Sequence, residues 1–275
     1  MKWITFSRKM GTRGSEVAKR VASELGYRFY DTKAIHEMAQ DLGLLGSVRA
    51  IDEKAPPVWQ RLFSPRPMVY LERLYSVIYE LAKQGDAVFL GRGSHLLLRD
   101  FPCALHVRVT ASPETCLRTV MTQGLNREAA ARAIQRTDAE RSAFVKFAFG
   151  VDWEDPTRYD LVLNMDKLSV KLAVSTVLHV VRSPEISDAS VEAIRTLGMM
   201  ALESRAEAAL SEASFGHGFV PALYVSVVEP GKVRVRGNVK AEENRAEAEN
   251  VLRAVKGVEA IESEIQIAPP IGYGM

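Results

Sequence analysis

The sequence predicts an α/β fold in which a parallel sheet is wrapped by helices, followed by a second, small α+β domain. Up to about residue 180, short apolar segments that are typical of buried strands alternate with helical patterns. After Ser183 the pattern changes to a long helix, two alternating strands, a helix and a last strand (α-β-β-α-β). These observations predict two domains, at residues 1–183 and 184–275.

The first strand, turn and helix carry the most specific signal. Residues 2–7 are a short apolar run, and in residues 16–25 the apolar positions recur at helical spacing. The turn between them contains Gly11 and Gly14. Such a turn directs backbone N–H groups and the positive end of the helix dipole to one point, where phosphate binds. It lacks the lysine of the standard G-x-x-x-x-G-K-S/T motif, because Ser15 directly follows Gly14.

The remaining elements of the first domain follow in alternation. We expect strands at 87–90, 104–109 and 159–163, and helices at 32–45, 69–83, 126–135, 137–149 and 170–181, with a further helix that begins at Ser112. Residues 47–68 contain four prolines and predict an irregular, mobile insert. In the second domain, Glu229-Pro230-Gly231 predicts a hairpin turn. This domain supplies two helices and three strands, so we expect residues 184–275 to fold alone.

Composition excludes several classes of protein. Hydrophobic residues make up 47% and charged residues 25%, values typical of a globular protein with a core. The net charge of +2 gives no reason to expect a nucleic-acid partner. The two cysteines predict reduced thiols in the cytoplasm rather than a disulfide framework, and the five histidines have no metal-site spacing. No apolar run is long enough to predict a transmembrane segment.

Several segments, taken in order, resemble the cytidylate kinase-like family of nucleoside monophosphate kinases. They are Ile4–Arg8, Gly11–Gly14, Gly26–Asp31, Gly91–Gly93, Asp138–Arg141 and Tyr159–Asn164. The resemblance implies a P-loop kinase fold with an insert at 41–70 that binds the nucleoside monophosphate and a lid-like region at 126–158. It also implies ATP and Mg²⁺ as cofactors and a nucleoside monophosphate, CMP or dCMP, as acceptor. This chain departs from the family where Arg13 replaces the central glycine of the turn. It also has Gly93 where cytidylate kinases proper have an aspartate after the arginine.

The resemblance and the residue types together assign roles to individual positions. The assigned residues are Arg8, Arg92, Arg136 and Arg141 for catalysis; Gly11, Thr12, Arg13, Gly14, Ser15 and Asn164 for ATP; Asp31, Arg92 and Asp138 for the acceptor; and Ser15 and Asp31 for Mg²⁺. Arg8, Lys9 and Arg13 are the candidate substitutes for the missing lysine. Four alternatives stay open: a salt bridge from Arg92 to Asp100, a helix-capping role for Asp31, a solvated helix face for the lid arginines, and solvated loop charges at Arg8, Lys9 and Arg13.

The second domain resembles a BON domain, in the order of its elements and in residues 255–261. That resemblance implies binding of a small ligand, a lipid or a protein partner. Three functions are therefore compatible with the sequence. They are an active nucleoside monophosphate kinase with a regulatory or tethering domain, a nucleotide-binding regulator with weak or lost turnover, and a ligand- or membrane-binding protein that uses the kinase-like half as a scaffold.

Overall fold

The computed structural model of the protein describes residues 1–41, 67–213, 215 and 223–268. Most of the insert predicted at 41–70 lies outside these residues. The described residues divide into two compact units, one formed by residues 1–41 and 84–190 and the other by residues 67–83 and those after Ser190, and each unit has its own sheet.

The elements are numbered here in chain order. The strands are β1 (Trp3–Arg8), β2 (Arg28–Tyr30), β3 (Ala87–Leu90), β4 (Ala104–Thr110), β5 (Leu161–Asn164), β6 (Leu223–Glu229), β7 (Lys232–Val239) and β8 (Ala260–Ile267). The described helices are α1 (Gly14–Leu25), α2 (Thr32–Asp41), α3 (Pro67–Lys83), α4 (Ser94–Leu97), α5 (Pro113–Met121), α6 (Arg127–Phe149), α7 (Val170–Val181), α8 (Val191–Glu212) and α9 (Glu242–Arg253). A 3₁₀ turn at Pro156–Arg158 precedes β5.

The first unit is built on a five-stranded sheet with the order β2-β3-β1-β4-β5, and every pairing in it is parallel. Alternate residues of β1, including Ile4 and Phe6, are buried in a core shared with α1 and α7. This confirms the predicted parallel sheet wrapped by helices. Because the strands are parallel, the carboxyl ends of β1, β2 and β3 lie at the same edge of the sheet, where open α/β sheets bind ligands.

The second unit contains a three-stranded sheet in the order β6-β7-β8, with α8 and α9 packed on its apolar face. The β6–β7 hairpin turns at the predicted position, and β8 then pairs parallel to β7. The predicted small α+β fold is therefore confirmed. On the other face, side chains of β7 and β8 form a ladder of ion pairs, made by Lys232, Arg234 and Arg236 with Glu262 and Glu264.

Helix α3 belongs to the second unit, although it lies between β2 and β3 in the chain. Its buried face packs on α8, and the apolar side chains of that face include Leu71, Leu74, Ile78 and Leu81. Ion pairs join Arg73 to Glu212 at 2.6 Å and Glu80 to Arg205 at 2.7 Å. The predicted boundary near Ser183 assigns this helix to the first domain, whereas its packing groups it with the residues after Ser190.

The lid-like region contains a correction to the predicted helices. The helices expected at 126–135 and 137–149 form one helix, α6, so the predicted break near Arg136 is wrong. Neither glycine nor proline occurs between Arg127 and Phe149, so no residue interrupts the backbone hydrogen bonds. Asn126 caps the start of α6 by accepting a hydrogen bond from the Ala129 N–H group at 2.8 Å.

Candidate active site

The turn between β1 and α1 has the geometry of an anion-binding site. Gly11 has a φ of 82°, and a Cβ there would lie 2.4 Å from the carbonyl oxygen of Cys116, so only glycine fits. The Thr12 hydroxyl donates to the Lys9 carbonyl at 2.8 Å and accepts from the Gly14 N–H group at 3.3 Å, which fixes the loop. Within the part of the chain that the structure describes, four amides of the turn have no acceptor: those of Gly11, Thr12, Arg13 and Ser15. They are available for phosphate oxygens.

Arg13 precedes the first residue of α1 in the left-handed conformation, with a φ of 59°. This conformation favours glycine, which accounts for the glycine that the family pattern has at the position of Arg13. Its guanidinium group lies 2.8 Å from the Glu16 carboxylate, and Glu16 also pairs with Arg20. The backbone of Arg13 therefore forms part of the turn, while its side chain makes an ion pair with Glu16 on the exposed surface of α1.

Of the three cations considered in place of the missing lysine, Arg8 lies deepest in the site. Lys9 pairs with Glu154 at 2.6 Å, and Arg13 with Glu16. Arg8 Nε donates to Ser15 Oγ at 3.3 Å. Burial, with the positive charge of Arg141, lowers the pKa of Arg8 to about 10. Arg8 is therefore still a cation at neutral pH, and its guanidinium group is held at the start of α1.

Arg92 follows β3 in a loop of three consecutive left-handed residues, with φ values of 83° at Gly91, 58° at Arg92 and 73° at Gly93. The ion pairs among the described residues include none between Arg92 and Asp100, so the first alternative finds no support. Arg92 is near enough to Arg8 for its charge to lower the Arg8 pKa. A Cβ on Gly93 would lie 2.2 Å from the ring of Phe149, so an aspartate there would displace that ring.

Asp31 follows β2 at the same edge of the sheet. One oxygen of its carboxylate, Oδ1, accepts hydrogen bonds from the N–H groups of Lys33 and Ala34, both at 3.0 Å. Asp31 therefore caps α2, as the capping alternative predicted. The negative charge of Asp31 also acts on Arg8 and raises its pKa, which places the carboxylate close to the arginine cluster.

Helix α6 brings Asp138 and Arg141 to the turn between β1 and α1. Asp138 Oδ1 accepts from the Met10 N–H group at 2.9 Å and from Arg141 at 3.0 Å. Arg141 also donates to the Arg8 carbonyl oxygen at 2.9 Å, and burial lowers its pKa. Arg136 is 77% exposed and lies 3.9 Å from Glu140, as the solvated-face alternative predicted for this arginine. The structure thus groups two of the lid residues with the turn and leaves Arg136 outside.

Asn164 ends β5 at the same edge of the sheet, and its side chain accepts a hydrogen bond from the Asp166 N–H group at 3.1 Å. Asp166 in turn accepts from the backbone N–H and the hydroxyl of Ser112, which ties the chain after β5 to the start of α5. The position of Asn164 at the end of β5 is consistent with its backbone lying beside a bound base. Its role stays a prediction.

Sequence reasoning missed Arg108, which is 3% exposed in β4. Its Nη1 atom donates to the Trp153 carbonyl at 2.7 Å and to the Tyr159 hydroxyl at 3.2 Å, and its guanidinium lies over both rings. Its register partner on β1 is Ser7, which accepts from the Trp153 indole at 2.7 Å. These contacts fasten the segment after α6 to the strand that leads into the turn. The available signal was an arginine inside a mostly apolar strand.

The residues predicted to hold Mg²⁺ are compatible with it. The Ser15 hydroxyl oxygen accepts one hydrogen bond, which leaves a lone pair, and Asp31 retains its second carboxylate oxygen. Hydroxyl and carboxylate oxygens are ligands that Mg²⁺ prefers. Among the described residues, the candidate site included, no group of three or more His, Cys, Asp or Glu side chains is arranged to hold a metal ion. Among the described helices, none combines the length and the apolar character needed to cross a membrane.

Comparison with protein families gives an assignment. The profile of the cytidylate kinase-like family matches residues 3–167, which is more than half of the chain. The protein belongs to the cytidylate kinase-like family. The BON domain profile matches residues 202–269, so both predicted resemblances are confirmed.

Solved structures similar to this family member cover the kinase-like part. An uncharacterized protein from Eubacterium ventriosum is 20% identical, with a TM-score of 0.54 over 66% of this chain and 99% of its own. A shikimate kinase from Bacteroides thetaiotaomicron is 13% identical over 66% and 99%, with a TM-score of 0.41. A deoxyadenosine kinase from M. mycoides is 12% identical over 66% and 100%, with a TM-score of 0.37. At these identities the similarities concern the fold alone. No curated protein matches the chain.

Proposed function

We propose that this protein is an ATP-dependent nucleoside monophosphate kinase whose most favoured acceptor is CMP or dCMP. The observation that supports this most directly is the convergence of three guanidinium groups, those of Arg8, Arg92 and Arg141, on a glycine turn with open amides. Phosphoryl transfer requires in-line positioning and neutralisation of the phosphate oxygens, with little covalent chemistry from the protein. A cluster of arginines beside anion-binding amides supplies both.

Each part of the site has a role in this proposal. The open amides of the turn hold the donor phosphates, and Arg8 neutralises them. Arg92, whose planar guanidinium suits a bidentate contact with phosphate, holds the acceptor. Mg²⁺ bound by Ser15 and Asp31 would supply further neutralisation of the donor phosphates. The backbone at Asn164 borders the adenine.

Asp138 and Arg141 belong to α6, and we propose that they act together. Asp138 fixes the Met10 amide and so positions the turn, while Arg141, which donates to the Arg8 carbonyl oxygen, would contact the phosphoryl group in transfer. The hydrogen bond between the two side chains keeps Arg141 oriented toward the turn. A role for Asp138 in contacting the acceptor and a catalytic role for Arg136 both stay predictions.

For the second unit we propose a regulatory or tethering role, with the chemistry left to the first unit. On the outer face of its sheet three cations of β7 are matched by carboxylates of β8, so this face gives no reason to place chemistry in the second unit. We also propose a cytoplasmic location, because Cys103 and Cys116 are both free thiols.

A melting panel tests the nucleotide assignment. The protein is heated with Mg²⁺ and each nucleoside mono- and triphosphate in turn, and then with ATP and CMP together. A ligand that binds the folded state at ten times its Kd stabilises it by about 1.4 kcal/mol. We expect ATP and a pyrimidine monophosphate each to raise the melting temperature. If no nucleotide raises it at millimolar concentration, the proposed function is wrong.

A further inference from the structure

Gly14 has no left-handed φ, so its backbone does not require glycine. Available space, however, excludes a side chain. A Cβ on Gly14 would lie 2.7 Å from the Cβ of Arg8 and 3.0 Å from the Cβ of Val109. The first of these distances is shorter than a carbon–carbon contact allows, whereas the second needs a shift of only a few tenths of an ångström. The Cβ of Arg8, an atom that every residue except glycine carries, is therefore what keeps residue 14 a glycine.

The same two positions carry opposite residues in the standard phosphate-binding motif. When G-x-x-x-x-G-K-S is placed on this chain with its serine at Ser15, its first glycine falls on Arg8 and its lysine falls on Gly14. The standard motif thus has glycine at the strand end and a cation at the helix start. This chain has the cation at the strand end and glycine at the helix start.

The Arg8 side chain extends from the end of β1 into the site. Its Nε atom is 3.3 Å from Ser15 Oγ, and its Nη1 atom is 2.9 Å from the place that a Cβ on Gly91 would occupy. The guanidinium therefore lies between the start of α1 and the loop that carries Arg92. A cation in this position would contact the same phosphate oxygens as the open amides of the turn.

We propose that Arg8 is the phosphate-binding cation of this site and that positions 8 and 14 are alternative, mutually exclusive places for one charge. The positive charge that the standard motif places on a lysine at the helix start is carried here by an arginine at the strand end. This inference rests on the proposed function and extends it, because it says which group replaces the lysine and why residue 14 must be small. The ligand it recognises is the polyphosphate of a nucleoside triphosphate, which offers the two oxygens that a guanidinium fork binds.

The test transfers the charge back to residue 14. ATP binding with Mg²⁺ is measured by isothermal titration calorimetry for the wild-type chain, Arg8→Gln, Gly14→Lys, and two double variants, Arg8→Gly/Gly14→Lys and Arg8→Gly/Gly14→Ala. The double variants differ only beyond the Cβ of residue 14, so their comparison isolates the contribution of the rest of the lysine side chain, which carries the charge. Circular dichroism melting shows which variants are folded. Arg8→Gln keeps the first three carbons of the side chain and removes the charge, so it reports loss of the charge with little loss of packing.

We expect Arg8→Gln to weaken ATP binding about tenfold or more. Gly14→Lys alone should also weaken it, because the new side chain collides with Arg8. The double variant that carries Gly14→Lys should bind at least about tenfold more tightly than the one that carries Gly14→Ala. Equal affinity of wild type and Arg8→Gln, or of the two double variants, would overturn the inference while leaving nucleotide binding intact. Absence of ATP binding to the wild-type chain would instead refute the proposed function.

Discussion

Glu72, on α3, is predicted to destabilise the protein at neutral pH. Burial is the largest cause that raises its pKa, and the charges of Glu207 and Glu203 on α8 add to the increase, so that the pKa rises from its usual 4.5 to about 7. The two α8 carboxylates themselves accept hydrogen bonds from the backbone N–H groups of Val225 and Val227 on the edge strand β6. A third carboxylate is therefore held beside two that have structural roles.

The sign of the effect follows from linkage. Because the folded-state pKa is the higher one, folding favours the protonated form of Glu72, and the stability associated with it is complete below pH 4.5 and lost as the pH rises through about 7. At about 1.4 kcal/mol for each pH unit between the two pKa values, the penalty above pH 7 is about 3 kcal/mol. Glu72→Gln removes the charge and keeps the size of the side chain, so it should stabilise the protein by up to this amount at pH 8 and have little effect at pH 4.

The assay is urea unfolding of wild type and Glu72→Gln at pH 4, 6 and 8. Glu80→Gln, on the same helix, is the control with the opposite sign. Burial raises the Glu80 pKa, but hydrogen bonds from Arg205 and Lys83 lower it by more, so its charge stabilises the fold and its loss should destabilise the protein at pH 8. If Glu72→Gln is no more stable than wild type at pH 8, or if its effect is the same at pH 4, the reasoning about this carboxylate fails.

Three further predictions concern the site and the second unit. Arg92→Ala should raise the KM for the acceptor more than the KM for ATP in steady-state kinetics, and equal increases would remove Arg92 from the acceptor role. Gly11→Ala should lower the free energy of unfolding by about 3 kcal/mol, because it adds a collision to backbone strain, whereas the control Gly26→Ala, with open space around it, should cost about 1 kcal/mol. Residues 184–275 alone should melt at a lower temperature than the same fragment mixed with a peptide of residues 67–83, because α3 covers α8. Identical melting curves would support independent folding, as the sequence alone suggested.

Features built from neighbouring residues could be predicted from the sequence. The glycine turn, the first strand and helix and the β6–β7 hairpin depend on local conformational preferences, which are visible in the residues themselves. The direction of a side chain was harder to predict. Arg136 and Arg141 have the same chemistry and lie on one helix, but on different faces of it. Arg136 is exposed, whereas Arg141 donates to the Arg8 carbonyl oxygen.

Features that join distant parts of the chain could not be predicted from local patterns. Arg108 contacts residues 45 and 51 positions away, Trp153 and Tyr159, and neither pairing leaves a trace in the strand that contains Arg108. The packing of α3 on α8 joins residues more than a hundred positions apart, as in the pair of Glu80 with Arg205. The relation of Arg8 to Gly14 likewise depends on a close approach in space that spacing alone does not reveal.

The most direct test of kinase activity is to incubate the purified protein with ATP, Mg²⁺ and CMP and to separate the nucleotides by anion-exchange chromatography over time. The proposed function predicts that CDP and ADP appear in equal amounts, that dCMP gives dCDP in the same way, and that Arg8→Gln slows both reactions. If ATP binds but neither CDP nor any other nucleoside diphosphate is formed from a full set of monophosphate acceptors, the protein is a nucleotide-binding regulator and the proposed transfer does not occur.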